Sequence, residues 1–210
     1  MYNFPIIDPI IQSIAVGNAL PEIKKTTNLF VDLVEDIVAQ QLSGKVADVI
    51  FKRFCCLFPQ NLPTPELLSK ILTEDLRSVG LSNAKANYVR NIAEYAMTNI
   101  LTVEHFNSLS DVEIIKELTK IKGVGVWTAQ MVLIFSLNRP DVFPVDDLAI
   151  RLGMQKLYAV EQEGKALKQK LVDIADGWRP NRTLGTRYIW AWVNSQKKNA
   201  VRMWQLCYNP

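Results

Sequence analysis

Two short segments of the chain hold the residue types best suited to chemistry, and the first contains two closely spaced glycines. Gly123 and Gly125 lie between two helical patterns, within residues 118–130. Glycine can adopt positive φ and leaves its amide N–H uncovered, and a helix that begins near Val126 adds further free N–H groups. The pattern predicts a binding site for phosphate groups, with an ordinary helix-to-helix turn as the alternative. Because the segment joins helices instead of following a strand, no nucleotide cofactor is expected.

The second segment carries two adjacent acids at a predicted helix start. Asp146 and Asp147 follow the apolar, proline-containing residues 142–145. An aspartate at this position commonly caps the helix, which stabilises it by about 0.5–2 kcal/mol. One cap needs only one acid, so the other is either a surface residue or a carboxylate aimed into a cleft. Position alone does not decide which acid has which role.

The elements that must position these segments are predicted to be helices. Apolar residues recur every three or four positions, and alternating strand-like runs are nearly absent. Helix-start signals occur at Asp8, Thr64, Ser82 and Ser110, and Gly80 is placed as a helix stop. One apolar stripe is formed by Phe30, Leu33, Val34, Ile37, Val38 and Leu42. We predict an all-α protein of about ten short helices, with a composition break at residues 138–141 that marks a boundary between two lobes.

Composition excludes several classes of protein. The 210 residues are 49% hydrophobic, which is enough to bury a core, and 24 basic against 21 acidic residues give a net charge of only +3. A polyanionic partner is permitted but would need a local basic surface. Three cysteines, two of them adjacent, support neither a disulfide framework nor a cysteine metal site. With no secretion signal and no membrane-spanning run, we expect an intracellular protein.

The segment with the two glycines and the segment with the two aspartates together resemble the helix-hairpin-helix DNA glycosylase superfamily, also called HhH-GPD. Its hairpin matches residues 121–125, and its aspartate at the head of a later helix matches Asp147. Trp127 stands where members with lyase activity carry a Schiff-base lysine, and this narrows the likeness to the 3-methyladenine DNA glycosylase II branch. Further blocks similar to that branch are residues 37–43, 76–82 with 85–86, and 178–183.

This resemblance implies an all-α, two-lobed fold with the active site in the cleft between the lobes. The whole chain, 1–210, is then one HhH-GPD domain, in which lobe one spans about 25–138 and lobe two spans about 1–24 plus 139–210. The chain departs from relatives in three ways. The cysteine quartet of the endonuclease III branch is missing, so no iron–sulfur cluster is expected. No β-rich amino-terminal domain is expected before the helices, and Lys122 stands where many members have proline.

The site residues follow from the same resemblance. Asp147 is the expected catalytic carboxylate, and whether Asp146 shares its work is left open. The positions that match the pocket for the extruded base are Trp127, Met131, Leu148 and Trp190. The expected DNA-binding residues are Gln41, Lys122, Gly123, Gly125, Arg179 and Arg182, with Gln41 as the plug that fills the gap in the duplex. The expected backbone-carbonyl ligands for Na⁺ or K⁺ are Thr119, Ile121 and Val124.

The activity implied is that of a monofunctional DNA glycosylase, which flips an alkylated purine out of duplex DNA and hydrolyses its N-glycosidic bond. Expected substrates are 3-methyladenine and 7-methylguanine, with 1,N6-ethenoadenine as a further candidate. No cofactor is required, and the protein is expected to be a monomer in a prokaryotic cytoplasm or a nucleus. The alternatives are a glycosylase of the same fold for deaminated or oxidised bases, and a non-catalytic DNA-binding protein. A helical interaction protein would leave the matching blocks unexplained.

Overall fold

The computed structural model describes residues 5–23, 26–42 and 44–208, and the side chains of residues 197–208 are outside that description. Ser43, the last residue of the 37–43 block, is also outside it. The described residues form twelve α-helices joined by short turns and contain no β-strand, which confirms the predicted all-α fold. Among these residues, no helix has both the length and the apolar character needed to cross a membrane.

The first nine helices, in chain order, are α1 (Pro9–Ala15), α2 (Leu29–Ala39), α3 (Gly44–Cys55), α4 (Pro65–Leu68), α5 (Thr73–Ser78), α6 (Asn83–Thr98), α7 (Val103–Asn107), α8 (Asp111–Leu118) and α9 (Val126–Met131). The remaining three are α10 (Leu148–Tyr158), α11 (Gly164–Asp176) and α12 (Arg182–Tyr208). A 3-10 turn forms at Pro59–Asn61, and one π-helical turn, Val132–Ser136, continues directly from α9.

The described part of the chain divides into two compact units. Ile23–Asn138 forms the central unit, which contains α2 to α9. Met1–Glu22 and Arg139–Pro210 form the terminal unit, which contains α1 and α10 to α12. The glycine-containing hairpin therefore belongs to the central unit, whereas the paired aspartates belong to the terminal unit.

Helix α2 lies at the core of the central unit. Leu33, Val34, Ile37 and Val38 are fully buried, and α2 packs against α3, α6 and α9. This confirms most of the predicted apolar stripe. Leu42 is an exception, because α2 ends at Ala39 and the turn that follows leaves Leu42 37% exposed.

The helix starts predicted at Asp8, Thr64, Ser82 and Ser110 are confirmed. The side chains of Asp8, Thr64 and Ser82 accept backbone N–H groups of α1, α4 and α6. Ser110 and Glu113 form a reciprocal capping box at the start of α8. Each cap is completed within three residues of chain, so its signal is readable without knowledge of the tertiary fold.

The terminal unit is built around a fully buried indole, Trp178. Its ring packs edge-on against Phe143, and a Cβ added at Gly185 would lie 2.5 Å from it. The Nε1–H of Trp178 and the hydroxyl of Tyr158 both donate to Oδ2 of Asp8, at 3.1 and 2.8 Å. Burial and the Asp8 carboxylate together raise the pKa of Tyr158. Asp8 thus joins the first helix to the core of its unit.

Candidate functional site

The hairpin between α8 and α9 turns at Gly123. The N–H of Val124 donates to the carbonyl of Ile121 at 2.9 Å, and Gly123 has a φ of +108°. A hydrogen-bonded four-residue turn with positive φ at its third position is a type II turn, which favours glycine there. A Cβ on Gly123 would also lie 2.2 Å from Cγ of Tyr88. Both the backbone angle and the packing therefore require glycine at this position.

Gly125 differs from Gly123. Its φ is −91°, and a Cβ added to it would meet nothing within 4 Å. It precedes the first residue of α9 and is exposed, as are Lys122 and Val126. Of the two glycines, both of which could adopt positive φ, only Gly123 does so. The open space at Gly125 is instead suited to close approach by a ligand.

The two lysines of the hairpin have different surroundings. Lys120 forms an ion pair with Glu117, and Glu117 also accepts the hydroxyl of Tyr95. These two hydrogen bonds lower the pKa of Glu117. The backbone carbonyl of Lys122 accepts the side-chain amide of Asn91 at 2.8 Å, while the Lys122 side chain is exposed. Lys120 is exposed as well, so the difference between the two lysines is the ion pair with Glu117, which makes Lys120 less available than Lys122 to an anion from solvent.

The three carbonyls expected to bind a monovalent cation lie where α8 ends. A helix leaves its last carbonyls without intrahelical partners, and Thr119 is the residue that follows α8. The Ile121 carbonyl accepts one hydrogen bond, from Val124, and a carbonyl oxygen has two lone pairs. Carbonyl oxygens are the ligands that K⁺ prefers in protein filters. The donor set of Thr119, Ile121 and Val124 therefore fits an alkali cation chemically.

The two expected pocket residues of the central unit are found on one helix. Trp127 lies in the first turn of α9 and is half-buried. Met131 ends the same helix and is only 5% exposed, so it contributes mainly to the core of its unit. The π-helical turn follows at once, closed by a 2.9 Å bond from the N–H of Leu137 to the carbonyl of Val132. Such turns often occur at functional sites.

Gln41, the expected plug, lies in the turn between α2 and α3. Its side chain is exposed, and its backbone is left-handed, with a φ of +59°. Residues other than glycine rarely adopt this conformation. The turn therefore presents Gln41 to solvent in an unusual backbone geometry.

Asp147 begins α10 as its N-cap and is half-buried. Its Oδ1 accepts the N–H of Ile150 at 2.9 Å and the indole Nε1–H of Trp190 at 3.1 Å. The structure thus brings two of the expected site residues into direct contact within the terminal unit. Two donors on one oxygen fix the orientation of the carboxylate.

The residues on either side of Asp147, Asp146 and Leu148, are both exposed. Asp146 forms an ion pair with Lys168 on α11, and its side chain is 53% exposed. The geometry therefore favours Asp147 over Asp146 as the carboxylate held for chemistry. Leu148, expected in the pocket, is 61% exposed.

Arg179 and Arg182 take part in an ion-pair network that sequence reasoning missed. Both guanidinium groups bind the carboxylate of Asp141, at 2.7 and 2.8 Å, and both approach Asp176. Burial acts to raise the pKa of Asp141, but the hydrogen bonds and charge of Arg182, helped by Arg179, outweigh it and lower that pKa. Asp141 lies about 40 residues away in sequence, so no local pattern reveals the pairing.

The same network gives the 178–183 block a structural role. Thr183 donates its hydroxyl to the carbonyl of Arg139 at 2.6 Å and accepts the N–H of Val142 at 3.0 Å. Together with the arginines, it holds the chain that leads to Asp147. The side chain of Arg182 is only 17% exposed, whereas that of Arg179 is 51% exposed. Of the two arginines predicted to contact DNA, Arg179 is therefore the more accessible.

Comparisons with known proteins identify what the chain is similar to. Residues 34–176 match the family described as HhH-GPD superfamily base excision DNA repair protein. A DNA-3-methyladenine glycosylase 1 from Schizosaccharomyces pombe is 37% identical over 161 residues, which cover 76% of this chain and 70% of the yeast protein.

Solved structures agree. A 3-methyladenine DNA glycosylase from Schizosaccharomyces pombe, in complex with abasic DNA, is 35% identical with a TM-score of 0.79, covering 88% of this chain and 91% of that one. A DNA-3-methyladenine glycosidase from Bacillus halodurans is 30% identical with a TM-score of 0.72, covering 91% and 92%.

Proposed function

The chain belongs to the HhH-GPD superfamily of base excision DNA repair proteins, and we propose that it is a DNA glycosylase for alkylated purines. The proposed substrates are 3-methyladenine and 7-methylguanine in duplex DNA, with 1,N6-ethenoadenine as a further substrate to test. The observation that carries the proposal is the Asp147 carboxylate, held by Ile150 and Trp190 at the start of α10. The similar yeast and Bacillus proteins support the choice of substrate class.

Hydrolysis of the N-glycosidic bond requires stabilisation of positive charge on the sugar. The base is first taken out of the stack, at a cost of a few kcal/mol that is smallest for damaged pairs. As the C1′–N bond breaks, its electron pair leaves with the purine, and the sugar becomes oxocarbenium-like. We assign Asp147 to stabilise that charge and to accept a proton from the water that attacks C1′. An alkylated purine that is already cationic leaves as a neutral base, so it needs no general acid.

The residue at position 127 affects both the binding of the extruded base and whether the strand is cleaved after base release. An indole offers a face on which an electron-poor purine can stack, worth about 1–3 kcal/mol per base with an added cation–π contribution. The half-buried Trp127 is the residue to which we assign this contact. An indole cannot form a Schiff base, so the proposed enzyme leaves an abasic site without cutting the strand.

We assign binding of the DNA backbone to the hairpin of the central unit. Gly125 has open space for a phosphate, and the exposed Lys122 adds positive charge. An alkali cation held by the carbonyls of Thr119, Ile121 and Val124 would supply further charge for phosphate binding. Binding through phosphates releases counterions, so affinity falls as salt concentration rises. The proposed partner is double-stranded DNA with damaged bases, bound by a monomer in a prokaryotic nucleoid or a nucleus.

A panel of duplexes, each with one defined lesion, tests the substrate class. We expect alkali-labile sites in duplexes with 7-methylguanine or 3-methyladenine, and intact strands before alkali. Borohydride added during the reaction should trap no covalent protein–DNA adduct. Activity confined to uracil, hypoxanthine or 8-oxoguanine would replace the proposal with the same-fold alternative, and binding without any product would favour a non-catalytic DNA-binding protein.

The hydrogen bond from Trp190 to Asp147 predicts a smaller effect on rate. Trp190→Phe keeps the aromatic ring but removes the Nε1–H that binds Oδ1 of Asp147. We expect the rate of base release to fall about tenfold, the equivalent of 1.4 kcal/mol, because a hydrogen bond to a charged group is lost. Single-turnover kinetics with saturating enzyme would measure this.

Trp192→Phe is the matched control, since Trp192 lies on the same helix and its ring packs under the Lys156 ammonium at 5.7 Å. This variant should change the rate less than twofold by the same measurement. Equal losses in the two variants would show that Trp190 acts only through packing.

A further inference from the structure

The turn that carries Gln41 is held on two sides by groups of the central unit. It begins at Gln40, the residue that follows α2, and Gln41 then adopts its left-handed backbone. Such a conformation is unfavourable for a residue with a Cβ, so the surrounding contacts must maintain it. The contacts around the turn therefore reveal what keeps Gln41 in place.

The first contact comes from Lys85 on α6. Its ammonium donates to the carbonyl of Val38 at 2.8 Å and to the carbonyl of Gln40 at 2.7 Å. Val38 belongs to the last turn of α2, where carbonyls lack intrahelical partners and where the helix dipole favours a cation. Partial burial lowers the pKa of Lys85. One lysine thus joins the end of α2 to the first residue of the turn.

The second contact links the turn to α9. The side-chain amide of Gln40 donates to the hydroxyl of Thr128 at 3.1 Å, and Thr128 is only 1% exposed. Thr128 is the residue after Trp127 on the first turn of α9. Gln40 is therefore held through its carbonyl by α6 and through its side chain by the hairpin helix.

We propose that Lys85 and Gln40 are positioning residues that hold the turn so that Gln41 projects as the plug. The proposal rests on the proposed function, in which Gln41 fills the gap left by the extruded nucleotide. In the proposed arrangement Lys85 makes no contact with DNA. It acts through the backbone of the turn, and Gln40 couples the turn to the helix that carries Trp127. Loss of either contact should make the turn more mobile and the plug less effective.

A double-variant cycle separates positioning from general stability. Lys85→Met should lower the single-turnover rate of 7-methylguanine release from duplex DNA about tenfold, the equivalent of 1.4 kcal/mol. In a Gln41→Ala background, where the plug is already absent, the same substitution should lower the rate less than twofold. Equal losses in both backgrounds would overturn the proposal, because Lys85 would then act independently of Gln41.

Arg90→Met provides the matched control. Arg90 lies on the same helix as Lys85, and its guanidinium also binds a backbone carbonyl, that of Ile71, away from the Gln41 turn. We expect this variant to lower the melting temperature while the rate, measured with folded protein, changes less than twofold. A rate loss in Arg90→Met equal to that in Lys85→Met would overturn the proposal.

Amide hydrogen exchange of the protein alone tests the positioning without reference to activity. The N–H groups of Gln40 and Leu42 bond to the carbonyls of Asp36 and Ala39, both at 3.1 Å. Lys85→Met should accelerate exchange at both amides at least tenfold, and Arg90→Met should not. Unchanged exchange would overturn the positioning role. If the parent protein releases no base, the proposed function fails, and this measurement still decides whether Lys85 holds the turn.

Discussion

Asp147→Asn is expected to lower the rate of alkylpurine release by about 10²–10³-fold, because the transition state then loses its stabilising negative charge. Asparagine keeps an oxygen that can accept the N–H of Ile150 and the indole N–H of Trp190. The cap of α10 and the fold should therefore survive. The single-turnover rate, the melting temperature and the affinity for lesion-containing duplex should be measured together. Of these three quantities, we expect only the rate to fall.

Asp146→Asn is the matched control for that variant. It removes the same charge from the neighbouring residue, whose carboxylate forms an exposed ion pair with Lys168. Exposed pairs contribute about 0–1 kcal/mol, so stability should change little and the rate should stay within about twofold of the parent. If Asp146→Asn were the inactive variant and Asp147→Asn the active one, the two acids would have to exchange their assigned roles.

The two hairpin glycines should respond to alanine in opposite ways. Gly123→Ala introduces a Cβ at positive φ and against Tyr88, and we expect it to lower stability by about 2–5 kcal/mol and the melting temperature by about 5–15 °C. Gly125→Ala places its Cβ in open space at ordinary φ, so the fold should be unaffected. Thermal unfolding of the two variants measures this contrast.

For DNA binding we expect the reverse: among folded proteins, Gly125→Ala should have the larger effect on affinity and Gly123→Ala the smaller. The methyl group of Gly125→Ala occupies the space assigned to a phosphate, so we expect affinity for duplex to fall about tenfold, the equivalent of 1.4 kcal/mol. The salt dependence of binding should also become weaker if a phosphate contact is lost. Unchanged affinity and salt dependence in Gly125→Ala would remove Gly125 from the DNA-binding surface.

The features predicted from sequence are those whose causes are local. The helix caps at Asp8, Thr64, Ser82 and Ser110 each depend on contacts within three residues, and all were found where expected. The apolar spacing of α2 likewise predicted its buried face. The family, inferred from a few ordered blocks, is confirmed by the comparisons. The functions assigned to individual residues stay predictions.

The features that sequence did not predict depend on contacts between distant parts of the chain. Lys85 belongs to a recognised block, but only the structure shows its ammonium at the end of α2. Asp141 binds two arginines about 40 residues away, and the family resemblance predicts DNA contacts for these same arginines. Gly123 and Gly125 look equivalent in sequence, yet the Tyr88 ring makes only one of them essential for packing. Leu42 fits the helical spacing but lies beyond the end of α2.

The proposed reaction is hydrolysis of one glycosidic bond, and a mass balance of its products measures that reaction. A duplex with a single 7-methylguanine should be incubated with excess protein, and free base, abasic sites and broken strands should be quantified by mass spectrometry. We predict one free 7-methylguanine for each abasic site, an intact strand, and no base release from a matched duplex with guanine. Absence of free 7-methylguanine at full DNA occupancy, or strand breaks equal in number to the released bases, would rule out the proposed hydrolysis without strand cleavage.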